Sequence, residues 1–200
     1  MNGMRTFIAI ELTVGVKAEL FRLQAALKLV TTCPVRWVAP ENTHLTLCFL
    51  GELSSVQVEL VKEVVVQIGA RFAPLQLETS LLGAFPSIVQ PQTVWVGLAG
   101  EQGVLSELHQ CLEANMGVVG YRPEGRHFRP HLTIARVQNE ATPAARQELG
   151  EALRHLETAK LPVGISELSM MKSVLRPSGA VYTCLYRARL TGAGATTKHW

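Results

Sequence analysis

Two short stretches of this chain combine residue types and a spacing that could perform acid–base chemistry. Residues 44–47 read His-Leu-Thr-Leu, and residues 131–134 read His-Leu-Thr-Ile. Successive side chains on a β-strand point to opposite faces, so each histidine shares a face with its threonine while the apolar residues anchor the other face. If the two polar faces meet, they bring together two imidazoles and two hydroxyls.

Two histidines can divide the labour of an in-line displacement at phosphorus. A neutral imidazole removes a proton from the attacking water and an imidazolium protonates the leaving oxygen, each transfer being worth ~10²–10⁴-fold. Thr46 and Thr133 would donate hydrogen bonds to the non-bridging phosphate oxygens. Because phosphoryl transfer also depends on charge neutralisation, Arg129 and Arg136 beside the second motif are candidate substrate-binding cations. Strict alternation puts Arg136 on the wrong face, so it must reach round the strand end or follow a bulge.

A metal centre is a weaker interpretation of the same residues. Zinc takes three or four ligands from histidine, cysteine and carboxylate side chains, and neither histidine strand carries a carboxylate. The chain also has no G-x-x-x-x-G-K loop that would hold a nucleoside triphosphate. We therefore expect chemistry that needs neither a metal nor another cofactor.

The elements that must position the two motifs follow from hydrophobic periodicity and capping signals. Thr13, Ser54 and Thr142 are placed to cap helices, the last followed by a first-turn proline. Glycine and proline in residues 83–92 predict a loop. The predicted helices are 13–30, 54–69, 103–116 and 142–155, and the predicted strands are 5–12, 35–38, 43–50, 75–82, 93–98, 127–137, 161–173 and 180–190, with a turn at 177–179.

The order strand, helix, histidine strand, helix, strand occurs twice along the chain. Thr6 precedes His44 by 38 residues, and Thr93 precedes His131 by the same number, so the two units are offset by 87. We predict one domain over residues 1–190, made of two pseudo-symmetric lobes from repeat units of about 5–82 and 93–173. A site between the lobes would then receive both motifs. Residues 191–200 are predicted to be a flexible tail.

Composition limits the possible classes of protein. The 200 residues are 48% hydrophobic and 18% charged, which favours an ordered chain with a substantial core. The net charge of +3 permits an anionic substrate without indicating a broad nucleic-acid platform. No apolar run is long enough to cross a bilayer, no signal peptide is evident, and the four cysteines lack metal or redox spacing. We expect a cytoplasmic protein that does not bind membranes.

The two motifs and their flanks resemble a known family. His44 to Glu52 reads HLTLCFLGE, and residues 129–136 read RPHLTIAR. Together with the opening strand 5–12, these segments look like the paired H-x-T-x signatures of the 2H phosphoesterase superfamily. They are most similar to its RNA 2′,3′-cyclic phosphodiesterases, the 2′-5′ RNA ligase-like group. The other similar segments are 83–86, 94–97, Ser173, Leu175 and 179–182, so the resemblance spans about residues 5–190.

The resemblance implies an α/β fold of the α+β type, with antiparallel sheets of two lobes around a central cleft and helices outside. It implies metal-independent hydrolysis of 2′,3′-cyclic phosphate, at RNA ends or on small nucleotides, to a 2′-phosphomonoester. His44 would be the proton donor and His131 the proton acceptor, with the roles exchanged in a reverse 2′-5′ RNA ligation. Relatives often carry arginine or lysine where this chain has Cys48, which would favour smaller or different substrates if that cation holds RNA.

Aromatic side chains near the motifs could stack on a nucleobase. The candidates are Phe7, Phe49 and Phe85, with core packing as the alternative for each, and Phe85 is the best placed because it lies in the predicted loop. Alternation puts Cys48 on the face of the first histidine, as a small packed residue rather than a nucleophile. His109 is expected at the surface of its helix.

A second class of function remains compatible with the motifs, namely a module that binds RNA ends or nucleotides without turnover. The presence of both imidazoles and both threonines argues against it, because a binding protein needs no acid–base pair. Since the repeat supplies both halves of the site, a monomer can build it.

Overall fold

The structure, a computed structural model, describes residues 3–123, 125, 127–177 and 179–193. Within these residues, the chain forms nine strands and four α-helices. The strands are β1 (Met4–Glu11), β2 (Val35–Trp37), β3 (His44–Leu53), β4 (Leu75–Pro86), β5 (Pro91–Gly100), β6 (His131–Val137), β7 (Pro162–Ile165), β8 (Glu167–Arg176) and β9 (Gly179–Arg189). The helices are α1 (Val14–Val30), α2 (Ser55–Gly69), α3 (Gln102–Asn115) and α4 (Pro143–His155).

The strands form two antiparallel sheets, which confirms the predicted fold class. One sheet has the order β3-β1-β8-β9, and the other has the order β2-β6-β5-β4-β7. Each histidine strand therefore lies next to the first strand of its own half of the chain, β1 or β5. The order β3-β1-β8-β9 in the first sheet corresponds strand by strand to β6-β5-β4-β7 in the second, where β2 is an additional edge strand.

The two halves of the chain exchange strands between the sheets. β8 comes from the second half but pairs with β1, and β4 comes from the first half but pairs with β5. At matched positions of the two sheets, Phe7 pairs with Phe49 and Thr93 pairs with Arg136. The separation in sequence between Phe7 and Thr93 is one residue shorter than the separation between the two histidines. Phe7, and not Thr6, is therefore the counterpart of Thr93.

Three of the four helices begin at the capping residues that the sequence predicts. The Thr13 hydroxyl accepts the Val16 amide at 3.4 Å, and the Thr142 hydroxyl accepts the Ala145 amide at 3.2 Å. At α2, Ser54 forms a reciprocal capping box with its third helical residue. The inward faces of these helices pack on the apolar faces of the sheets, leaving the polar faces of the histidine strands to the cleft.

The predicted loop at 83–92 is mostly wrong. β4 continues through Pro86 and β5 begins at Pro91, so the segment is a hairpin with a short turn. Gly83 is a strand residue, and it has to be glycine because the indole of Trp95 fills the space where a Cβ would stand. Glycine here makes room for a ring rather than a turn.

The predicted strand 161–173 is two strands, because the chain passes from one sheet to the other at Ser166. Near the last described residues, the amides of Thr191 and Gly192 donate to the carbonyls of Gly69 and Phe72. Ser178 of the predicted turn and residues 194–200 of the predicted tail lie outside the described residues. No described helix is long and apolar enough to cross a membrane.

Candidate active site

The two histidine motifs lie on their strands as their alternation predicts. Leu45 and Leu132 are 1% and 0% exposed in the core, whereas the histidines and threonines are half-buried on the other face. Thr46, His131 and Thr133 line one cleft of about 780 Å³ between the sheets. His44 does not line this volume itself, but it lies two residues before Thr46 on the same strand face.

Both imidazoles are held in the same way. His44 Nδ1 lies 2.9 Å from the carbonyl oxygen of Asn42, and His131 Nδ1 lies 2.7 Å from that of Arg129. A carbonyl oxygen only accepts hydrogen bonds, so Nδ1 carries the proton in each ring. Nε2 is then the nitrogen that can gain or lose a proton in each histidine.

Aromatic rings support both histidines. The Phe7 ring stacks on His44 with centroids 4.7 Å apart, and Tyr182 meets the same imidazole edge-on at 5.1 Å. The Phe85 ring lies perpendicular to His131 at 5.0 Å and lines the cleft. Phe7 is 1% exposed, so it has no free face for a base, and its position favours support of His44 over the predicted contact with substrate.

A β-bulge brings the predicted cation into the cleft. The pairing of β6 with β5 passes directly from Thr133 to Ala135, which leaves Ile134 as an additional residue. The bulge breaks the alternation, so Arg136 lines the cleft with the second histidine instead of facing away. Its Nη1 donates to the Thr93 hydroxyl at 3.4 Å. The sequence left two ways for Arg136 to reach the cleft, around the strand end or through a bulge, and the structure has the bulge.

The first histidine strand bulges at the corresponding place. Its pairing with β1 passes from Thr46 to Cys48, which leaves Leu47 as the additional residue. The predicted cleft position of Cys48 is therefore wrong: it is 2% exposed in the core, and burial raises the pKa of its thiol to about 12. Phe49 takes the position that matches Arg136, and it is 58% exposed and lines the cleft.

The electrostatics of the cleft favour neutral imidazoles before a substrate arrives. Burial lowers the pKa of His44 to about 4. Burial also lowers the pKa of His131, and the charge of Arg136 lowers it further. The predicted Arg129 lines the cleft as well. Among the described residues, no three histidine, cysteine or carboxylate side chains cluster where they could hold a metal ion.

One wall of the cleft was not predicted from the sequence. It consists of His109 and Glu113 on α3 with Tyr121 and Phe128 after it, and we call these four residues the α3 wall. The prediction that His109 is a surface residue is wrong, because it is 7% exposed and its ring stacks on Phe128 at 3.9 Å. The four-residue spacing of the histidine and glutamate on one helix face was the available signal.

Comparison with known proteins agrees with this architecture. The sequence model described as "LigT like Phosphoesterase" matches residues 10–96 and then residues 96–182, one histidine motif falling in each match. The chain belongs to the LigT-like phosphoesterase family. The two consecutive matches cover most of the chain, and their offset equals that of the first strands of the two sheets.

Relatives and solved structures in the LigT-like phosphoesterase family extend the comparison. An RNA 2′,3′-cyclic phosphodiesterase of Methanothermobacter thermautotrophicus is 31% identical over 94% of this chain and 99% of its own. Another from Aeropyrum pernix is 32% identical over 82% and 91%. A crystal structure of a Thermus thermophilus protein superposes with a TM-score of 0.75 and 26% identity over 94% of this chain and 99% of that one.

Proposed function

We propose that this LigT-like phosphoesterase hydrolyses 2′,3′-cyclic phosphates, at RNA ends or on small nucleotides, to 2′-phosphomonoesters. The relatives named RNA 2′,3′-cyclic phosphodiesterase support this substrate class. The observation that carries the proposal is the matched pair of imidazoles, each held through Nδ1 by a backbone carbonyl and each two residues from a threonine. A binding protein would have no need of two such groups.

In the proposed reaction, His131 Nε2 takes a proton from water as the water oxygen bonds to phosphorus. His44 Nε2 gives its proton to the 3′-oxygen as the bond from phosphorus to that oxygen breaks. The hydroxyls of Thr46 and Thr133 donate to the non-bridging oxygens, and Arg136 neutralises the charge that develops on them. In a ligation, a 5′-hydroxyl would replace the water and the two histidines would exchange roles.

The charges around each imidazole fit this division of roles. Burial and, less strongly, the charge of Arg136 lower the pKa of His131, which keeps it in the neutral form that a base requires. At His44 burial is the main cause of the lowered pKa, while the charge of Lys17 lowers it further, the charge of Glu11 raises it, and Phe49 stands where the second strand has Arg136. A bound phosphate anion raises the pKa of a nearby imidazole, so His44 acquires its proton together with the substrate.

The remaining substrate contacts come from the second motif and the β4 end. Arg129 lines the cleft beside the histidine that its carbonyl holds, so its side chain can meet a phosphate of the RNA chain. Phe85 also lines the cleft, where its ring can contact the ribose or base of the reacting nucleotide while its edge packs on His131. These roles require no metal ion.

The proposal is tested by hydrolysis of a 2′,3′-cyclic nucleotide in EDTA, with the product separated into 2′- and 3′-phosphate. We expect turnover to a 2′-phosphate in the wild type and its loss in His44→Ala and in His131→Ala. His155→Ala is the matched control, because His155 is exposed at the end of α4 outside the cleft. Binding without turnover would favour the non-catalytic alternative, and full activity in either cleft variant would contradict the two-histidine mechanism.

A further inference from the structure

The α3 wall gives the cleft a hydrogen-bond acceptor, the carboxylate of Glu113, that the proposed hydrolysis of cyclic phosphate does not use. Glu113 Oε1 accepts a hydrogen bond from the Tyr121 hydroxyl at 3.0 Å. Its Oε2 lies 3.7 Å from His109 Nδ1, which is beyond hydrogen-bond distance, and no other described residue donates to it. Because burial lowers the pKa of His109, its imidazole is neutral near pH 7 and forms no ion pair there. The Glu113 side chain, 23% exposed, thus retains acceptor capacity at the cleft.

The α3 wall also lies directly beside the bulge of β3. His109 lies beside the backbone of Leu47, and Tyr121 and Glu113 lie close enough to the thiol of Cys48 to influence its pKa. The next residue is Phe49, whose ring is 58% exposed at the cleft. An exposed aromatic face and an available carboxylate therefore line the same cleft.

The lining of the cleft therefore combines groups of two different chemistries. Arg136 and Arg129 supply positive charge beside His131, where a phosphate is favoured. A carboxylate repels phosphate and accepts hydrogen bonds from N–H groups, while an aromatic face stacks on any base. The volume of about 780 Å³ lies within the range of sites that enclose a whole small ligand, so it has room for more than the reacting phosphate.

Among the four RNA bases, guanine fits a carboxylate best. Its Watson–Crick edge presents two adjacent donors, N1–H and the N2 amino group, which match the two oxygens of a carboxylate. Adenine and cytosine place an acceptor nitrogen beside their amino group, and uracil flanks its single N–H with two carbonyls. Each of those acceptors would face the negative charge of the carboxylate.

We propose that Phe49 and Glu113 form a nucleobase subsite that selects guanosine among the cyclic phosphate substrates of this enzyme. Phe49 stacks on the base without regard to its identity, and Glu113 accepts from its Watson–Crick edge. The subsite rests on the proposed function, since it positions the nucleoside whose cyclic phosphate lies at the two histidines.

The test compares steady-state hydrolysis of the 2′,3′-cyclic phosphates of guanosine, inosine, adenosine, cytidine and uridine. We expect the wild type to favour guanosine by about tenfold in kcat/KM, with inosine intermediate because it keeps N1–H and lacks the amino group. Glu113→Gln should remove most of that preference through KM. Phe49→Leu should raise KM for all bases by about tenfold. Glu107→Gln, exposed on the same helix outside the cleft, is the matched control.

Equal wild-type kcat/KM for all bases would overturn the subsite, as would an equal loss for every base in Glu113→Gln. If the subsite is overturned in this way but any of these substrates is hydrolysed, the proposed function still holds. If none of them is hydrolysed, the proposed function fails, and calorimetric binding of 2′-GMP and 2′-AMP then decides the subsite separately. Tighter binding of 2′-GMP that is lost in Glu113→Gln supports it, and equal dissociation constants contradict it.

Discussion

His44 and His131, 87 residues apart, each direct Nδ1 to the carbonyl oxygen of the residue two positions before them, at 2.9 and 2.7 Å. The shared hydrogen bond fixes the same tautomer in both rings and assigns the exchangeable proton to Nε2. Since the holding group is backbone, the orientation depends on how each strand begins and not on a neighbouring side chain. The pair is thus oriented before any substrate binds.

The buried imidazole of His44 should make the fold sensitive to acid. Because its pKa is about 4 in the folded protein and near 6.5 when unfolded, the unfolded chain binds more protons between these values, and stability falls as pH decreases through this window. Urea unfolding should show that wild type loses about 2 kcal/mol more than His44→Gln between pH 8 and pH 5. His155→Gln, at an exposed site, should behave as wild type, and equal losses in all three proteins would contradict the burial effect.

The pH dependence of catalysis should reflect two ionisations of the free enzyme. Activity falls on the acid side as the base is protonated and on the alkaline side as the acid loses its proton. Since burial lowers the pKa of both His44 and His131, the kcat/KM profile should be a bell with its maximum below pH 6.5. The kcat profile should lie at higher pH, because the bound phosphate raises both pKa values. A profile with a single ionisation would count against separate acid and base roles.

Gly83 should tolerate no side chain, because a Cβ there would overlap the Trp95 ring. Trp95 also packs on Phe85 with centroids 5.2 Å apart, so its displacement should disturb the support of the second histidine. We expect Gly83→Ala to cost about 1–3 kcal/mol in urea unfolding and to lower kcat. Gly103→Ala on α3 meets nothing within 4 Å and is the control. Equal stability of the two variants would contradict the packing argument.

Phe7 should act on the reaction through His44 and not through the substrate. Phe7→Leu keeps an apolar side chain in the core but removes the ring that stacks on the imidazole at 4.7 Å. We expect kcat to fall with little change in KM, accompanied by a stability loss of about 1–3 kcal/mol. Phe21→Leu, 62% exposed on α1, should change neither. A change confined to KM would return Phe7 to the substrate contacts predicted from the sequence.

Local signals in the sequence predicted the helices and the histidine strands well. Capping at Thr13, Ser54 and Thr142 depends on neighbouring residues alone, so it could be recognised directly. The polar faces of the two motifs follow from alternation over the three residues from each histidine to its threonine, a span that ends before the bulge. These features therefore required no knowledge of the tertiary structure.

The features that the sequence did not predict depend on contacts between distant segments. The bulges at Leu47 and Ile134 are set by pairing with β1 and β5, and they reverse the expected faces of Cys48 and Arg136. The exchange of β4 and β8 between the sheets is not indicated by any local sequence pattern either. The α3 wall also depends on such a contact, because it forms where α3 packs against the bulge of β3.

The central claim is that His44 and His131 act as one acid–base unit, and a double-mutant cycle on kcat tests it most directly. With a 2′,3′-cyclic nucleotide in EDTA, each single alanine variant should lose about 10³-fold or more. The double variant should lose no more than the larger single loss, because removing either group already disables the pair. Losses that multiply in the double variant, or a single variant with wild-type kcat, would contradict the paired mechanism.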